Sequence, residues 1–308
     1  MTQTRLVSDA LARAWPQLHF EIQAIRTEGD RLAHVSLSKI GGRGIFVKEI
    51  EHALLAGKID LAVHSLKDLP STLPSGLTIA AIPLREDARD VLIARNGLPL
   101  TALPPGATLA TSSPRRFAQL RAARPDLRFV DLRGNVDTRL RRLHAGDFDA
   151  IVLAAAGVLR LGRGGEVTEY LPLDLCLPAV GQGALAVEVR ADDADLLKLL
   201  SAVDHPRTRA AVTAERAFLR TLGGGCRVPI AAYADVSPDG TMLRLHGRIL
   251  APDGSERVEG VRSGPATAAE QTGEDLGREL LEQARPLLEA AEAKGLALDL
   301  PLRVEGGE

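Results

Sequence analysis

One cysteine stands directly behind three consecutive glycines, in the stretch Thr221-Leu-Gly-Gly-Gly-Cys-Arg-Val-Pro-Ile230. Glycine takes positive φ after a helix at no steric cost, so the run suits a helix C-terminus. It also strips side chains from around Cys226, so that something bulky could reach its sulfur. Two readings of the bare motif stand: a helix cap followed by a buried, inert cysteine, or a thiol displayed on a loop as an attachment point. The negative end of a helix opposes thiolate formation, and Arg227 offsets only part of that. A thiol that reacts once with a strong electrophile tolerates such a place. Redox or cysteine-protease chemistry does not fit it, because no histidine lies near it in sequence to act as a base.

A lysine and an aspartate form the second group. Ile59-Asp-Leu-Ala-Val-His64 reads as a short apolar strand, and it delivers Ser65-Leu-Lys-Asp-Leu-Pro70 at its carboxyl end. Ligands of open α/β sheets bind outside the carboxyl ends of strands. Lys67 and Asp68 are therefore either a helix-capping turn or a site.

The third group is a bank of arginines. Between Arg115 and Arg142 there are nine arginines against three aspartates. The planar fork of arginine grips a carboxylate or phosphate in two places at once. Arg115, Arg116, Arg133 and Arg139 fall at strand-to-helix junctions and are placed for a ligand, whereas Arg121, Arg124, Arg141 and Arg142 read as a solvated face. Thr111, Ser112 and Ser113 put hydroxyls beside the unpaired amides of a helix start. Arg160 follows the apolar run Asp149 to Gly157. A glycine-rich loop, Lys39 to Lys48, contains Arg43 and matches neither the dinucleotide fingerprint nor the phosphate-binding P-loop.

The elements that must position these groups follow from periodicity. Thr2 to Trp15 places Leu6, Val7, Ala10, Leu11 and Ala14 on one helical face, and Pro16 closes it. His19 to Ile25 alternates like a strand. Strand-helix units recur from Arg85 to Gly157, and Leu177 to Glu188 reads as a crossing back to the first unit, its glycines forming a hinge. A helix from about Pro206 to Leu222 ends at the glycine run. Strands at Val228–Val236, Met242–Ile249 and Arg257–Arg262 follow, the last two joined by a Pro252-Asp-Gly254 turn. One long helix from Ala266 to Lys294 packs on them, ahead of a loose tail.

Composition narrows the class. A chain of 308 residues suggests two or three domains, and an aromatic content of 3% leaves the core to Leu, Val, Ile and Ala, as in α/β layers. With a formal net charge of −2 and almost no aromatic to stack on bases, nucleic acid is a poor partner. Two cysteines are no disulfide framework. No signal peptide or apolar run of 18 residues is found, and the expectation is a cytoplasmic monomer with no metal and no membrane contact.

Together the segments His64–Pro70 (HSLKDLP), Thr111–Arg116 (TSSPRR), Leu132–Leu140 (LRGNVDTRL), Ala179–Glu188 (AVGQGALAVE) and Gly223–Ala234 (GGGCRVPIAAYA) resemble the porphobilinogen deaminase (hydroxymethylbilane synthase) family, from about Met1 to Ala290. The resemblance implies two periplasmic-binding-protein-like α/β domains around a cleft, residues 1–84 with 184–203 and residues 89–177. A smaller C-terminal α+β domain at 206–294 would carry the cysteine, with a tail at 295–308.

It also implies the chemistry. Four porphobilinogen molecules are joined head to tail with loss of ammonia, giving linear hydroxymethylbilane for tetrapyrrole biosynthesis. The chain grows on a dipyrromethane cofactor attached through a thioether, here to Cys226. Asp68 would be the catalytic carboxylate that stabilises the cationic species at each coupling. Lys67, Ser113, Arg115, Arg116, Arg133 and Arg139 would hold the cofactor; Arg43, Arg160, Ser65, Asn135 and Gln182 would hold substrate. A non-catalytic two-lobed module closing on a small anion is the alternative. Cys176, within Leu173-Asp-Leu-Cys-Leu-Pro178, is expected to be an ordinary small apolar residue.

Family members open with a strand and a loop of the type Arg-x-Gly-Thr-Arg-x-Ser-x-Leu-Ala ahead of the first helix, and this sequence has neither. The expectation is that Met1 is internal to a protein beginning roughly fifteen residues upstream, the length of one strand and its loop. The 308-residue chain would then be less stable than its family and poorly active.

Overall fold

Helix α1 (Thr2–Ala14) buries Val7 and Leu11, while Leu6, also expected on the inner face, is 45% exposed. Trp15 caps the helix just before Pro16. A computed structural model describes residues 1–25, 47–224 and 229–293. The glycine-rich loop with Arg43, Cys226 itself and the tail lie outside the described residues.

Helix α2 (Lys48–Leu55) leads to β1 (Leu61–Ser65) and then β2 (Leu77–Ala81). The chain next crosses to a second sheet, which it builds from β3 (Asp90–Ala94), β4 (Thr108–Ala110), α3 (Pro114–Ala123) and β5 (Arg128–Val130). The same sheet continues through α4 (Val136–His144), β6 (Ala150–Ala154), α5 (Ala155–Arg160) and β7 (Glu169–Tyr170). A second crossing returns the chain to the first sheet as β8 (Leu185–Arg190), followed by α6 (Ala194–Leu200).

The strand orders are β1-β8-β2 and β5-β4-β6-β3-β7. In each sheet the strand that arrives from the other lobe, β8 or β3, lies antiparallel to both its neighbours. Strand β4 is parallel to β5 and β6. Both lobes are thus α/β layers, and the chain passes between them twice. Every residue of β3 is buried and β6 is nearly so; β6 reads as an uninterrupted apolar run for that reason, whereas β3 opens on Asp90.

The first lobe departs from expectation in one place. His19 to Ile25 is extended but joins no ladder among the described residues. Period-2 patterning needs a neighbouring strand to become a sheet. Here a cavity of about 1020 Å³ lies between this segment and β1, closed by Val7 and Leu11 of α1 and by Leu196 and Leu199 of α6 and its end.

The third layer begins with α7 (Pro206–Thr221), with Pro206 in its first turn as expected. Strands β9 (Ile230–Val236), β10 (Met242–Leu250) and β11 (Arg257–Pro265) form an antiparallel sheet. Its core joins Phe218 and Leu222 of α7 and its end to Leu245, Leu276 and Leu280. The single long helix expected here is two: α8 (Ala269–Gln283) and α9 (Arg285–Ala293). Pro286 lacks the N–H that a continuing helix would use, and its ring clashes with the preceding turn.

The second crossing is tightly fitted. Gly183 has φ +87°, and a Cβ there would lie 2.4 Å from the Glu86 carbonyl oxygen of the first crossing. Gly97 has φ +70° with open space around it, so Gly97→Ala loses only about 1 kcal/mol of left-handed strain. Gly183→Ala should lose clearly more in urea unfolding; equal losses would show that the crossing can give way.

Candidate functional site

Strand β1 ends at Ser65, and a single 3-10 turn, Leu66–Asp68, carries Lys67 and Asp68 beyond it. Buried Leu66 anchors the turn, and its N–H donates to the Ala184 carbonyl, 3.0 Å away, so the loop is tied to the second crossing. Two helix starts of the second lobe are capped by their own side chains. Ser113 caps α3, its hydroxyl accepting from the Arg116 N–H; Asn135 caps α4, its Oδ1 accepting from the Thr138 N–H at 2.9 Å.

Between the lobes is a cavity of about 230 Å³ whose wall includes Ser65 and Lys67 from one side and Arg116, Asn135, Arg139 and Arg160 from the other. Six of the residues expected from sequence are therefore brought together, two from the first lobe and four from the second. Burial pulls the Lys67 ammonium below its ordinary range, with Asp68 opposing that shift. Burial, together with the nearby Arg116, pulls Arg139 down to about 10. Burial also lowers Arg160, whose Nη2 donates to the Gly183 carbonyl at 2.7 Å. These are cations held without enough counter-charge, in a pocket suited to carboxylates.

The other expected residues stand elsewhere. Asp68 is exposed at the end of its turn and is not part of that wall. Arg133 is partly exposed and its Nε donates to Asp131 at 3.1 Å. Ser113 acts as the helix cap. Arg115 is 6% exposed, with Nη1 donating to Asp90 and to the Leu177 carbonyl, each at 2.7 Å. Gln182 is 1% exposed, and its Nε2 donates to the Ala88 carbonyl and to Asp90, each at 2.8 Å.

Three residues with parts in this arrangement escaped the sequence reading. Gln3 of α1 lines the cavity and donates to the Ser65 hydroxyl at 2.7 Å. Glu215 of α7, fully buried, accepts from Arg85 of the first crossing at 2.6 and 3.1 Å and from the Gly181 N–H of the second at 2.7 Å.

Asp90 is fully buried and accepts from Arg115, Arg116 and Gln182. Burial would raise its carboxyl, but Arg115 and Arg116 outweigh that and hold it well below the usual range. The signal for Asp90 was a carboxylate heading a wholly apolar strand, a group that stays buried only when paired.

Cys176 also meets this cluster. It is buried as expected, yet its thiol donates to Asp90 at 3.3 Å, and burial together with Asp90 pushes it up to about 12.

The loop that bears Cys226 can be followed to its edges. Gly224 packs against Ser71, where a Cβ would lie 3.2 Å from the hydroxyl, and Arg216 of α7 donates to the carbonyls of Pro70 and Ser71 at 2.8 and 3.2 Å. The glycine run thus leaves the third layer beside the loop of Lys67 and Asp68.

Two α/β lobes joined by a double crossing, with a cation-lined cleft between them and a third layer against its mouth, define a two-lobed anion-binding scaffold. Residues 1–198 match the family model "Porphobilinogen deaminase, dipyromethane cofactor binding domain", and residues 209–282 match "Porphobilinogen deaminase, C-terminal domain". A porphobilinogen deaminase of Geobacillus kaustophilus is 54% identical over 86% of this chain and 85% of its own length. One of Roseiflexus castenholzii is 53% identical over 92% of each. The BvgS VFT2 domain of Bordetella pertussis aligns over 66% of this chain and 76% of its own at 17% identity, with a TM-score of 0.38, too loose to add to the topology. The chain belongs to the porphobilinogen deaminase family. That membership sets it among transferases of tetrapyrrole biosynthesis rather than non-catalytic binding modules. No helix among the described residues is long and apolar enough to cross a membrane.

Carboxylate binding in the cleft should weaken as pH rises into the alkaline range. The sign follows from the lowered basic groups: Lys67 loses its proton below the ordinary lysine range and Arg139 loses its own at about 10. KM for porphobilinogen measured against pH should rise toward pH 10; a flat profile through that range would exclude both side chains as ligands.

Proposed function

We propose that this chain condenses four porphobilinogen molecules, with loss of ammonia, into hydroxymethylbilane on a dipyrromethane carried by Cys226. The observation that carries the site assignment is the cavity that sets Ser65 and Lys67 against Arg116, Arg139 and Arg160. Each pyrrole unit bears an acetate and a propionate, so a growing chain accumulates negative charge. Unneutralised cations at the cleft are the complement it needs.

The residues present fit such a group. Lys67, Arg116 and Arg139 would hold the cofactor carboxylates, Arg116 reaching those of the adjoining substrate ring as well, with Arg133 and the start of α3 at Ser113 beside them. Arg160, Ser65 and Asn135 would take those of the incoming substrate, with Arg43 from the loop outside the described residues. When bound, the dipyrromethane supplies the pyrrole carbon to which the first substrate is joined. Asp68 stands at the mouth of the cleft on a short turn fixed to the crossing. There it can offer a carboxylate to the pyrrole N–H and stabilise the cation left as ammonia departs. Gln182 and Arg115 act from behind, through Asp90.

The sheet contents support a division into residues 1–84 with 184–203, residues 89–177, and residues 206–294. We place the protein in the cytoplasm as a monomer, with porphobilinogen as its ligand and no nucleic acid.

Intact mass of the purified protein tests the reading directly. Wild type should carry an excess equal to two pyrrole units, and Cys226→Ser should lose it while keeping its fold. A retained increment would move the attachment point elsewhere. Asp68→Asn should keep the increment and lose on the order of 10²–10⁴ in turnover, the usual range for a removed general acid-base group. A rate near that of wild type would end the role of Asp68.

A further inference from the structure

Asp90 accepts five hydrogen bonds from four side chains while being wholly removed from solvent. Its Oδ1 accepts from Arg116 Nε at 3.0 Å and Nη2 at 2.7 Å and from Gln182 Nε2 at 2.8 Å. Its Oδ2 accepts from Arg115 Nη1 at 2.7 Å and from the Cys176 thiol at 3.3 Å. The groups that meet there come from the second lobe and from both crossings. Arg115 and Arg116 open α3, Gln182 belongs to the second crossing, and Asp90 itself ends the first crossing.

The two arginines are not equivalent. Arg115 lies behind, spending its Nη1 on Asp90 and the Leu177 carbonyl. Arg116 lines the cleft cavity. A guanidinium has five N–H groups. Arg116 commits Nε and Nη2 to Asp90, and Nη1 to the Val152 carbonyl at 3.1 Å. Those three bonds leave two N–H groups, one on each terminal nitrogen, on a side chain that lines the cavity. One carboxylate shared by two arginines also leaves one net positive charge there.

We propose that Asp90 is a positioning residue for ligand carboxylates: it locks Arg116 so that its unspent fork faces the cleft, and fixes that fork to both crossings. The inference rests on the anion-binding reading of the cleft given above. A rigid fork binds a carboxylate in two places without first losing rotamer freedom.

Charge alone and positioning predict opposite outcomes for Asp90→Asn. Removing a negative charge beside a cationic pocket would tighten anion binding if only the field mattered. If Asp90 positions Arg116, binding weakens although the pocket gains positive charge. The probe is a pyrrole bearing acetate and propionate but no aminomethyl group, titrated by calorimetry into the holoenzyme, with porphobilinogen kinetics alongside.

We expect Asp90→Asn to bind the probe about tenfold more weakly, a loss of about 1.4 kcal/mol, and to raise KM more than it lowers kcat. Arg116→Gln should weaken binding to a similar degree. The double variant Asp90→Asn/Arg116→Gln should match Arg116→Gln alone, because a residue that acts through Arg116 has nothing left to act on. This comparison holds even where Asp90→Asn alone does not fold, since the double variant keeps the cluster at the one net positive charge of wild type, now on Arg115. Unchanged or tighter binding by Asp90→Asn, or a further loss in the double variant, overturns the proposal. Wild-type protein that turns over no porphobilinogen and binds no probe overturns the reading of the site together with it.

Discussion

Like charges crowd this cleft, and the scaffold is arranged around that crowding. Arg116, Arg139, Arg160 and Lys67 line one small cavity in a protein whose formal net charge is −2. Packed without anions, such cations repel, and burial strips away the water that would screen them. The lowered pKa values of Lys67, Arg139 and Arg160 are the mark of that cost. Neutralising carboxylates are supplied, but behind the cavity rather than in it. Asp90 holds Arg115 and Arg116 from the rear, and Glu215 holds Arg85 at the crossing. The pocket face is left positive while the protein as a whole stays near neutral.

The parts of this arrangement that sequence reveals are those with a local cause. Ser113 and Asn135 read as helix starts because their side chains cap the next residues' amides, and both do so. Strand β6 reads as a buried run because it is covered on both faces. The wall of the cavity was legible in part through strand-to-helix junctions and a strand's carboxyl end, which brought Arg116, Arg139 and Lys67 within view, while Asn135 came from the family resemblance alone. What spacing cannot tell is which of two adjacent arginines faces a ligand. Arg115 and Arg116 differ by a single step along α3, enough to send one behind the cleft and the other into its wall. Nor does local sequence announce a partner from far along the chain, as Gln3 is to Ser65 or Glu215 to Arg85.

The two lobes follow one plan to different extents. The order β6-β3-β7 in the second repeats β1-β8-β2 in the first, with the returning strand central and antiparallel. On the outer side of β6 the second lobe adds β4 and β5. On the corresponding side of β1 lie the cavity of about 1020 Å³ and the segment from His19 to Ile25, which joins no ladder among the described residues. Alternating residues propose a strand, while hydrogen bonds to a neighbour make one.

The third layer meets the cleft through backbone acceptors. Arg216 reaches the carbonyls of Pro70 and Ser71, and Gly224 packs against the Ser71 side chain. Arg248, 1% exposed on β10, crosses to Gln119 of α3 at 2.6 Å and to the Asp174 carbonyl at 2.9 Å. These contacts brace the third layer against the loop of Asp68 on one side and against the helix of Arg116 on the other. Carbonyl acceptors suit that task, since a peptide oxygen accepts a guanidinium N–H without adding a carboxylate that would compete for the cations of the cleft. Arg216 and Arg248 thus tie the third layer to both lobes through long side chains.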